Sequence, residues 1–352
     1  MTRELQVGII GYGIGGRGFH APLVAATPGL HVSVLVTADR QRAAQAGADY
    51  PDAAVVDHPD RLFERRADLD LVVVSTPNRT HVPLALQAIE AQLPVVVDKP
   101  FAPTADEAQQ LIDRAAARGV LLTVFQNRRW DSDFLTVRRV LASGRLGNVF
   151  RFESRYDRWQ PTVLDNWREF GDPAEAGGLL YDLGAHIVDQ ALQLFGPAAE
   201  VYAEVDRRRP GAVVDDDVFV AIEHAGGIHS HLWATTLAGS LNPRFRVLGD
   251  AATFTKYGLD PQEPQILAGQ RPGDPGWGVE PDSDAGTIGD GTGSLETVPT
   301  EVGRYQDFYT QVRDAVHGTG DLPVDPRAAV AALTVIEAAR ASATERRIVT
   351  LS

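Results

Sequence analysis

The amino-terminal segment carries the pattern that decides the fold of this chain. It reads Leu5-Gln6-Val7-Gly8-Ile9-Ile10-Gly11-Tyr12-Gly13-Ile14-Gly15-Gly16. The apolar run predicts a buried strand, and the G-x-G-x-x-G spacing at its carboxyl end predicts a tight turn into a helix. Gly11 permits the turn, Gly13 lets the backbone approach a pyrophosphate, and Gly16 allows close packing of helix on strand. We interpret the segment as a dinucleotide-binding turn, the alternative being a plain glycine turn.

The residues up to 125 continue the alternation of strand and helix. Strands are predicted over residues 5–10, 31–36, 70–75, 94–98 and 120–124, and helices over residues 20–27, 40–48, 80–91 and 105–118. The strands are apolar nearly throughout, as in parallel strands covered on both faces. Thr104 and Glu107 have the spacing of a capping box, and Gly119 ends that helix. The alternation predicts a Rossmann-type α/β domain with a doubly wound parallel sheet over residues 1–125.

The pattern changes after about residue 145. Strands are predicted over residues 149–156, 201–205, 218–224, 228–235, 245–248, 252–254 and 348–351, and helices over residues 178–195, 304–317 and 327–344. Residues 261–293 read as a long loop, either a lid or an oligomer contact, and Asp215 to Asp217 as a solvated turn. We predict an α+β domain with a mostly antiparallel sheet over residues 126–352, for substrate binding and oligomerisation. Its closing helices could instead pack back on the first domain.

Composition excludes several function classes. The 352 residues carry a net charge of −14, which disfavours a general nucleic-acid binder because such proteins normally present a basic patch. No apolar stretch reaches the roughly 18–20 residues of a membrane span, and the start leaves no room for a signal peptide. Without cysteine there is no disulfide framework or thiolate metal site. We expect a cytoplasmic protein with no membrane or nucleic-acid partner and no metal.

The end of the second strand bears on cofactor choice. An NAD-selective site usually has Asp or Glu there, which binds the ribose 2′-hydroxyl. In this chain the strand ends in Thr37, followed by Asp39 and Arg40. A threonine hydroxyl beside an arginine suits a 2′-phosphate, so NADP is predicted. Asp39 keeps NAD open, and Arg40 could instead be a solvated residue in the first turn of the next helix.

Lysine is rare in this chain, and its placement is informative. Of the 33 lysines and arginines only Lys99 and Lys256 are lysines. Lys99 ends a predicted strand, where open α/β sheets place their ligands; it is a candidate for chemistry, the alternative being codon bias. Asp182 and His186 are four residues apart in a predicted helix and share one face. They form either a functional pair or a pair that points to water.

Four stretches of the sequence occur in the order and with the spacing found in a known family. They are Gly11 to Gly16, Thr76-Pro77-Asn78 with His81, Asp98-Lys99-Pro100, and Gly178 with Asp182 and His186. The chain resembles the Gfo/Idh/MocA oxidoreductases over its whole length, with Asp98 where the family usually has glutamate. Within the family, residues 125–131, 181–184, 256–258 and 277–278 are similar to the NADP-dependent scyllo-inositol dehydrogenases.

The resemblance implies that Lys99, Asp182 and His186 are catalytic, and their chemistry agrees with this. An unperturbed imidazole titrates near ~6.5, so His186 is a plausible base for a hydroxyl proton. Asp182 could hydrogen-bond the same hydroxyl and orient it. A free lysine, with a pKa near ~10.4, is a poor base, so Lys99 is assigned to stabilising a developing alkoxide and to proton relay.

The predicted binding residues follow from the motifs and the resemblance. Those for the cofactor are Gly11, Tyr12, Gly13, Ile14, Gly15, Gly16, Thr37, Arg40, Thr76, Pro77, Asn78, His81, Asp98, Lys99, Asn127 and Arg128. Those for the substrate are Lys99, Tyr156, Asn166, Trp167, Arg168, Asp182 and His186. Asn127 and Arg128 could also contact a polyol, Asn78 could simply cap the next helix, and Tyr156 and Trp167 could be ordinary packing residues.

The resemblance implies an NAD(P)-dependent oxidoreductase that exchanges hydride with a secondary alcohol or ketone of a cyclic polyol. The first candidate for that polyol is scyllo-inositol. Another sugar or anhydrosugar dehydrogenase is the enzymatic alternative. A catalytically silent NADPH-binding sensor is the non-enzymatic one, and the presence of Lys99, Asp182 and His186 together disfavours it. The resemblance also implies a homo-oligomer, a dimer or tetramer.

Overall fold

The computed structural model describes residues 3–164, Glu169 and 176–351. The chain forms two compact units. Unit 1 comprises the chain up to Trp130 together with Gln262–Trp277 and Arg304–Val330. Unit 2 comprises Asp131–Pro261, Gly278–Gly303 and the chain from Ala331 onward. Each unit therefore combines segments from both halves of the sequence.

The secondary structure alternates in the first third of the chain and is strand-rich afterwards. The strands are β1 (Leu5–Ile10), β2 (Leu30–Val36), β3 (Ala54–Val56), β4 (Leu71–Val74), β5 (Val95–Asp98), β6 (Leu122–Phe125), β7 (Val149–Asp157), β8 (Ala198–Asp206), β9 (Asp217–His224), β10 (His229–Thr235), β11 (Phe245–Gly249), β12 (Thr253–Lys256), β13 (Gly286–Gly289), β14 (Leu295–Val298) and β15 (Val349–Thr350). The helices are α1 (Ala21–Ala26), α2 (Arg40–Asp49), α3 (Pro59–Phe63), α4 (His81–Glu90), α5 (Ala105–Arg118), α6 (Ser132–Ala142), α7 (Ala185–Phe195), α8 (Gln262–Leu267), α9 (Gln306–Val316) and α10 (Pro326–Glu345).

Unit 1 is organised by a parallel sheet whose strand order is β3-β2-β1-β4-β5-β6. The direction of winding reverses between β1 and β4, and in open α/β sheets this point marks the ligand crevice at the carboxyl ends of the strands. The central strands β1, β4 and β5 have nearly continuous burial, because helices cover both faces of such a sheet. The predicted doubly wound sheet is confirmed.

Helix α5 shows how local sequence sets an element's limits. The Thr104 hydroxyl accepts a hydrogen bond from the Glu107 amide at 3.2 Å, as the predicted capping box requires. Gly119 follows the last helical residue with φ of +65°, a left-handed conformation that glycine adopts without steric cost. Both predicted limits of this helix are confirmed.

Unit 2 is organised by a sheet with the order β14-β13-β12-β11-β7-β10-β9-β8-β15. Neighbouring strands are antiparallel except for the parallel pair of β10 with β7. Along β9 and β10 buried and half-buried residues alternate, so one face packs inward. Helix α7 packs against β7 and β10. The predicted mostly antiparallel sheet is confirmed, and so is the hairpin at Gly226-Gly227, which joins β9 to β10.

Three predictions of local structure were incomplete or wrong. The stretch 261–293 is not one loop, since it contains α8 and β13, and β13 pairs with both β12 and β14. Strand β13 has four residues and a glycine at each end, so its strand character depends on neighbours distant in sequence. Helices α3 and α6 and strands β3 and β14 were not predicted either. Asp215 and Asp216 are buried, 9% and 0% exposed, so the predicted solvated turn is wrong for them.

The second lysine of the chain lies in the core of unit 2. Lys256 on β12 is fully buried, donates a hydrogen bond to the Tyr257 carbonyl oxygen at 2.6 Å and forms an ion pair with Glu280. The Ser132 hydroxyl donates to the same carboxylate. Burial raises the pKa of Glu280, and the contacts with Lys256 and Ser132 lower it only in part. Removing one member of such a pair leaves an uncompensated buried charge.

We therefore expect Lys256→Met to lower the free energy of unfolding by ~3–5 kcal/mol. The double variant Lys256→Met/Glu280→Leu is expected to recover most of that loss, because an apolar pair of similar volume replaces both charges. Urea unfolding followed by circular dichroism measures both. A single variant as stable as the wild type would contradict the assigned pair.

Candidate functional site

The glycine-rich turn after β1 is shaped by close backbone contacts. Gly11 has φ of +103°, and a Cβ on it would lie 2.1 Å from the Ser75 carbonyl oxygen. A Cβ on Gly16 would lie 1.9 Å from the Gly11 carbonyl oxygen. A Cβ on Gly15 would lie 2.3 Å from Ser75 Oγ and 2.7 Å from Asp98 Oδ2. Gly11 and Gly15 are therefore needed for the turn to pack against the ends of β4 and β5, and Gly16 is needed for the turn to close on itself.

Gly13 differs from its neighbours because space is open beside it. The atom nearest to a Cβ on Gly13 is Arg42 Nη1, at 3.7 Å. Helical structure begins at Ile14, whose side chain is 65% exposed, and continues through a π-helical turn, Gly16–His20, into α1. The start of the helix offers free N–H groups and the positive end of its dipole. The residues of this cradle fit a dinucleotide pyrophosphate.

The side chain of Tyr12 serves the turn itself. It is buried, and its hydroxyl donates a 2.7 Å hydrogen bond to Asp49 at the end of α2. Burial raises the pKa of Tyr12 well above its usual value, and the bond to Asp49 adds to this. The predicted contribution of Tyr12 to cofactor binding is thereby confined to its main chain.

The residues after β2 place one arginine, Arg42, beside the turn and another, Arg40, in the first turn of α2. The Thr37 amide donates to the Val56 carbonyl oxygen at 2.9 Å, and Asp39 caps α2 by accepting a 2.9 Å hydrogen bond from the Arg42 amide. Arg40 is exposed in the first turn of α2. Arg42 is also exposed and reaches toward Gly13. We did not predict Arg42, although its position two residues after Arg40 was a signal for it.

The loop after β4 is held by His81. This histidine is 1% exposed, and its ring nitrogens lie 2.8 Å from the Pro100 carbonyl oxygen and 2.9 Å from that of Thr76. Burial lowers the pKa of His81, against the effects of Asp98 and of the two carbonyl contacts. The Pro100 contact ties this loop to the segment containing Lys99, whose peptide bond to Pro100 is cis. His81 thus joins two loops at the same edge of the sheet.

Asn78 lies in that loop and is 6% exposed. It is the first residue of a 3₁₀ turn, Asn78–Thr80, which follows Pro77. Helix α4 begins after Thr80, so the alternative that Asn78 caps α4 is wrong. The Thr80 hydroxyl is 2.7 Å from that of Thr76 and accounts for the tight turn of the segment.

Asp98 and Lys99 end the next strand, β5. One Asp98 oxygen accepts from the Ser75 hydroxyl at 2.9 Å and the other from the Lys99 amide at 2.8 Å. Lys99 is half-buried. The carboxyl ends of β1, β4 and β5 therefore bring together, within unit 1, the predicted residues of the glycine turn, of the loop after β4, and Asp98 and Lys99.

Asn127 and Arg128 follow β6 in a 3₁₀ turn, Asn127–Trp130. They are 6% and 7% exposed. The Arg128 guanidinium donates to the Tyr305 hydroxyl at 3.0 Å and forms an ion pair with Glu263 on α8. These contacts anchor α8 and the segment before α9 to the end of β6, so Arg128 has a structural role in unit 1.

Asp182 and His186 begin the long helix of unit 2. Asp182 lies in a π-helical turn, Leu180–Gly184, which continues directly into α7. His186 is 4% exposed and Asp182 is half-buried, so the alternative that both point to water is wrong for His186. Single π turns in helices occur frequently at functional sites. The second such turn among the described residues, at Gly16–His20, follows the glycine cradle.

The start of this helix depends on Asp215. Its carboxylate accepts a 2.7 Å hydrogen bond from the Leu180 amide, and its carbonyl oxygen accepts one from the Leu179 amide at 2.9 Å. A Cβ on Gly178 would lie 2.3 Å from Asp215 Oδ1, so only glycine fits there. Burial raises the pKa of Asp215, while the Leu180 amide and Arg340 lower it. Asp215 thus fixes the helix that carries Asp182 and His186.

A buried arginine, which we did not predict, lies near this helix. Arg244 is 2% exposed and donates to the Gln190 side chain on α7 at 2.9 Å. Its guanidinium carbon lies 4.4 Å from the ring centroid of Tyr156, which is 1% exposed. Asp133 lies 3.3 Å away and supplies the counter-charge. Tyr156 and the helix of His186 are thereby joined through Arg244.

The remaining predictions concern three substrate residues, a metal site and a membrane span. Asn166, Trp167 and Arg168 lie outside the described residues. Over the ranges 3–164 and 176–351, the structure has no group of three or more His, Cys, Asp or Glu side chains that could hold a metal ion. In the same part of the chain, no helix is both long enough and apolar enough to cross a membrane.

Comparison with known proteins agrees with this geometry. Residues 5–126 match the domain described as "Oxidoreductase family, NAD-binding Rossmann fold". Residues 138–351 match "Oxidoreductase family, C-terminal alpha/beta domain". Both descriptions belong to the Gfo/Idh/MocA family, and the two matches span most of the sequence.

Individual relatives cover the chain end to end. The oxidoreductase YdgJ of Escherichia coli K12 is 41% identical over 353 residues, covering 100% of both chains. The scyllo-inositol 2-dehydrogenase (NADP(+)) IolW of Bacillus subtilis 168 is 34% identical over 350 residues, covering 99% of this chain and 96% of its own. Among solved structures, the oxidoreductase yvaA of Bacillus subtilis superimposes with a TM-score of 0.94 at 33% identity, covering 100% of this chain and 99% of its own. The chain belongs to the Gfo/Idh/MocA family of oxidoreductases and carries its NAD-binding Rossmann domain, as the sequence motifs predict.

Proposed function

We propose that this oxidoreductase is an NADP-dependent dehydrogenase acting on a secondary alcohol of a cyclic polyol, with scyllo-inositol as the first candidate. The observation that carries the proposal is the edge of the unit 1 sheet, where the open space at Gly13 follows β1 and the Asp98-Lys99 pair ends β5, with β4 between the two strands. A protein that only sensed the cofactor would need the open space at Gly13 but would have no need of the Asp98-Lys99 pair. The name of the relative IolW supports the choice of scyllo-inositol.

The preference for NADP rests on the charges after β2. A carboxylate that binds both ribose hydroxyls would disfavour a 2′-phosphate. The one carboxylate of that segment, Asp39, already accepts the Arg42 amide as a helix cap. Arg40 and Arg42 are exposed, and Arg42 lies beside Gly13. A planar guanidinium matches phosphate geometry in two hydrogen bonds, so both arginines are proposed to bind the 2′-phosphate together with Thr37.

The proposed chemistry is the oxidation of a secondary alcohol to a ketone, in which the hydroxyl oxygen loses a proton and the carbon that bears it loses a hydride. A nicotinamide, when bound, supplies the hydride acceptor or donor. His186 takes the hydroxyl proton as general base, and Asp182 orients the same hydroxyl. The Lys99 ammonium stabilises the negative charge that develops on the oxygen. In the reverse direction His186 returns the proton to the oxygen as a ketone is reduced.

The proposed substrate residues of unit 2 combine polar groups with flat apolar surfaces. The Tyr156 side chain is buried and Arg244 packs against its ring, so only its hydroxyl is proposed to reach a substrate. Neighbouring hydroxyls of a polyol suit such paired donors, and the face of an aromatic ring suits the C–H side of a sugar. Asn166, Trp167 and Arg168 remain proposed contacts on the same chemical grounds. Sugars and anhydrosugars share these features, so they remain the second candidate substrates.

We also propose that the protein forms a homo-oligomer through the large sheet of unit 2. Phe219, His231 and Trp233 are half-buried on one face of β9 and β10. The rings of Phe219 and Trp233 lie 5.1 Å apart, and Arg155 lies 3.8 Å above Trp233. Aromatic and arginine side chains are enriched at interfaces, so this face suits a second copy of the chain.

Arg42→Ala and Arg40→Ala are each expected to raise the KM for NADPH at least about tenfold, since a charged phosphate contact contributes ~1.5–3 kcal/mol. The KM for NADH is expected to stay within about twofold, because NADH lacks the 2′-phosphate. Steady-state kinetics with both cofactors measure the ratio of the KM for NADPH to the KM for NADH in each variant. Arg61→Ala, an exposed arginine on α3 paired with Glu64, is the control. Equal losses with both cofactors would contradict the assignment.

His186→Ala is expected to lower kcat by ~10²–10⁴-fold, through loss of the general base. Lys99→Ala is expected to lower it by ~10²–10³-fold, through loss of the charge that stabilises the alkoxide. The assay is NADP⁺ reduction with scyllo-, myo- and chiro-inositol, glucose, xylose and levoglucosan.

The wild-type result of the same assay separates the candidate functions. The highest kcat/KM with an inositol supports the proposal, and the highest with glucose, xylose or levoglucosan supports a sugar dehydrogenase. Tight NADPH binding with no turnover on any substrate would support the sensor. Near-full kcat in either variant would overturn the role of that residue.

Trp233→Glu is expected to reduce the mass measured by light scattering to that of one chain, because it places a charge in the proposed interface. Leu241→Glu is the control, since Leu241 is 70% exposed and lies outside the large sheet. A wild-type protein of single-chain mass would contradict the proposed oligomer.

A further inference from the structure

Behind Lys99 lies a buried series of polar side chains from three separate segments of unit 1. Tyr309 on α9 and His20 in the π turn after the glycine cradle are both 0% exposed. The Tyr309 hydroxyl lies 2.6 Å from His20 Nδ1. His20 Nε2 lies 3.4 Å from Asp98 Oδ2. The series therefore runs from Tyr309 through His20 to the carboxylate that precedes Lys99.

The protons of this series have one consistent direction. Burial, with the negative charge of Asp98, raises the pKa of Tyr309 well above its usual value. The hydroxyl therefore keeps its proton and donates a hydrogen bond to His20 Nδ1. The proton of a neutral His20 is then on Nε2, toward Asp98. Within the described residues, Nε2 is buried with no hydrogen bond of ordinary length. The 3.4 Å approach to Asp98 is longer than a usual N–H···O bond, and such contacts often shorten when ligands bind.

Asp98 is surrounded by groups that favour its charged form. The Ser75 hydroxyl and the Lys99 amide donate to it at 2.9 and 2.8 Å. Burial opposes ionisation, but His20, then His81 and Lys99, outweigh it and hold the pKa of Asp98 well below its usual range. These groups come from the π turn, the segment after β4, the end of β5 and the start of α4. Asp98 is therefore a fixed negative charge beside Lys99.

Each member of the series has a partner that holds it in place. Phe125 lies 4.3 Å from the ring centroid of His20, which limits the imidazole to one plane. Asp98 in turn holds the Lys99 main chain through the 2.8 Å amide contact. Among the contacts described above, His20 is connected to Lys99 through Asp98.

We propose that His20 is a positioning residue, which, supported by Tyr309, holds the ionised Asp98 against Lys99 as its counter-charge. This inference rests on the proposed catalytic role of Lys99. It adds two residues that support Lys99 indirectly: His20 acts through Asp98, and Tyr309 acts through His20. Their function is to keep Lys99 charged and in place.

The scarcity of lysine supplies a reporter for this arrangement. Reductive methylation with ¹³C-formaldehyde labels the accessible amines, those of Lys99 and the amino terminus, and Lys99→Arg identifies the Lys99 signal. Lys256 is fully buried and therefore protected from the reagent, which leaves Lys99 as the labelled lysine. The chemical shift of the Lys99 methyl groups, followed from about pH 4 to 11, reports both its own titration and that of Asp98. No substrate or turnover is needed.

In the wild type we expect no acid inflection down to about pH 4, because Asp98 stays ionised. Asp98→Asn is expected to lower the titration midpoint of Lys99, since an opposite charge has been removed. His20→Asn is expected to bring an inflection of Asp98 above about pH 4, because a donor to the charged form is lost and burial then dominates. Tyr309→Phe, a milder change, is expected to move it in the same direction by less.

The control is His224→Asn, because His224 is an equally buried histidine that contacts Gly196 and Ser230 in unit 2. It is expected to leave the Lys99 titration midpoint unchanged and to bring no acid inflection above about pH 4. An unmoved signal in both folded variants, His20→Asn and Tyr309→Phe, would overturn the proposal, as would an unmoved Lys99 midpoint in Asp98→Asn. The expected shifts in a protein without dehydrogenase activity would support the positioning series while overturning the proposed function.

Discussion

The contact between Gly11 and the Ser75 carbonyl oxygen is the constraint on which the candidate site depends. A Cβ on Gly11 would lie 2.1 Å from that oxygen, so the turn after β1 can lie against the end of β4 only if residue 11 is glycine. The same approach brings Gly15 against Ser75 and Asp98. The start of the helix, the loop after β4 and the lysine after β5 are positioned by this single close packing of backbones.

Partly or fully buried charges with defined partners are the second theme of the structure. Asp98 accepts hydrogen bonds from Ser75 and the Lys99 amide, Asp215 caps the helix that carries His186, and Lys256 pairs with Glu280. Charges with such partners are costly to disturb but hold specific geometries. In this chain they are placed at the ends of elements, where they orient loops and helix starts more than they fill the core.

Much of the site could be predicted because its signals are local. The glycine turn, the capping box of α5 and the strand before Lys99 each depend on residues within a few positions of one another. The contributions of His20, Arg244 and Asp215 could not be predicted, because their partners lie far along the chain. Asp215 in particular is one of three consecutive aspartates, and only its contact with Leu180 distinguishes it from a residue of a solvated turn.

The sequence by itself determined the class of fold, the dinucleotide-binding turn and the family, because periodic burial and glycine spacing are written in consecutive residues. It also singled out Lys99 through the scarcity of lysine. Only the tertiary structure decided that His186 is buried, that Arg42 reaches the turn, and that His20 faces Asp98. Those facts depend on which distant segments meet, and hydrophobic pattern specifies that an element is buried without specifying what lies against it.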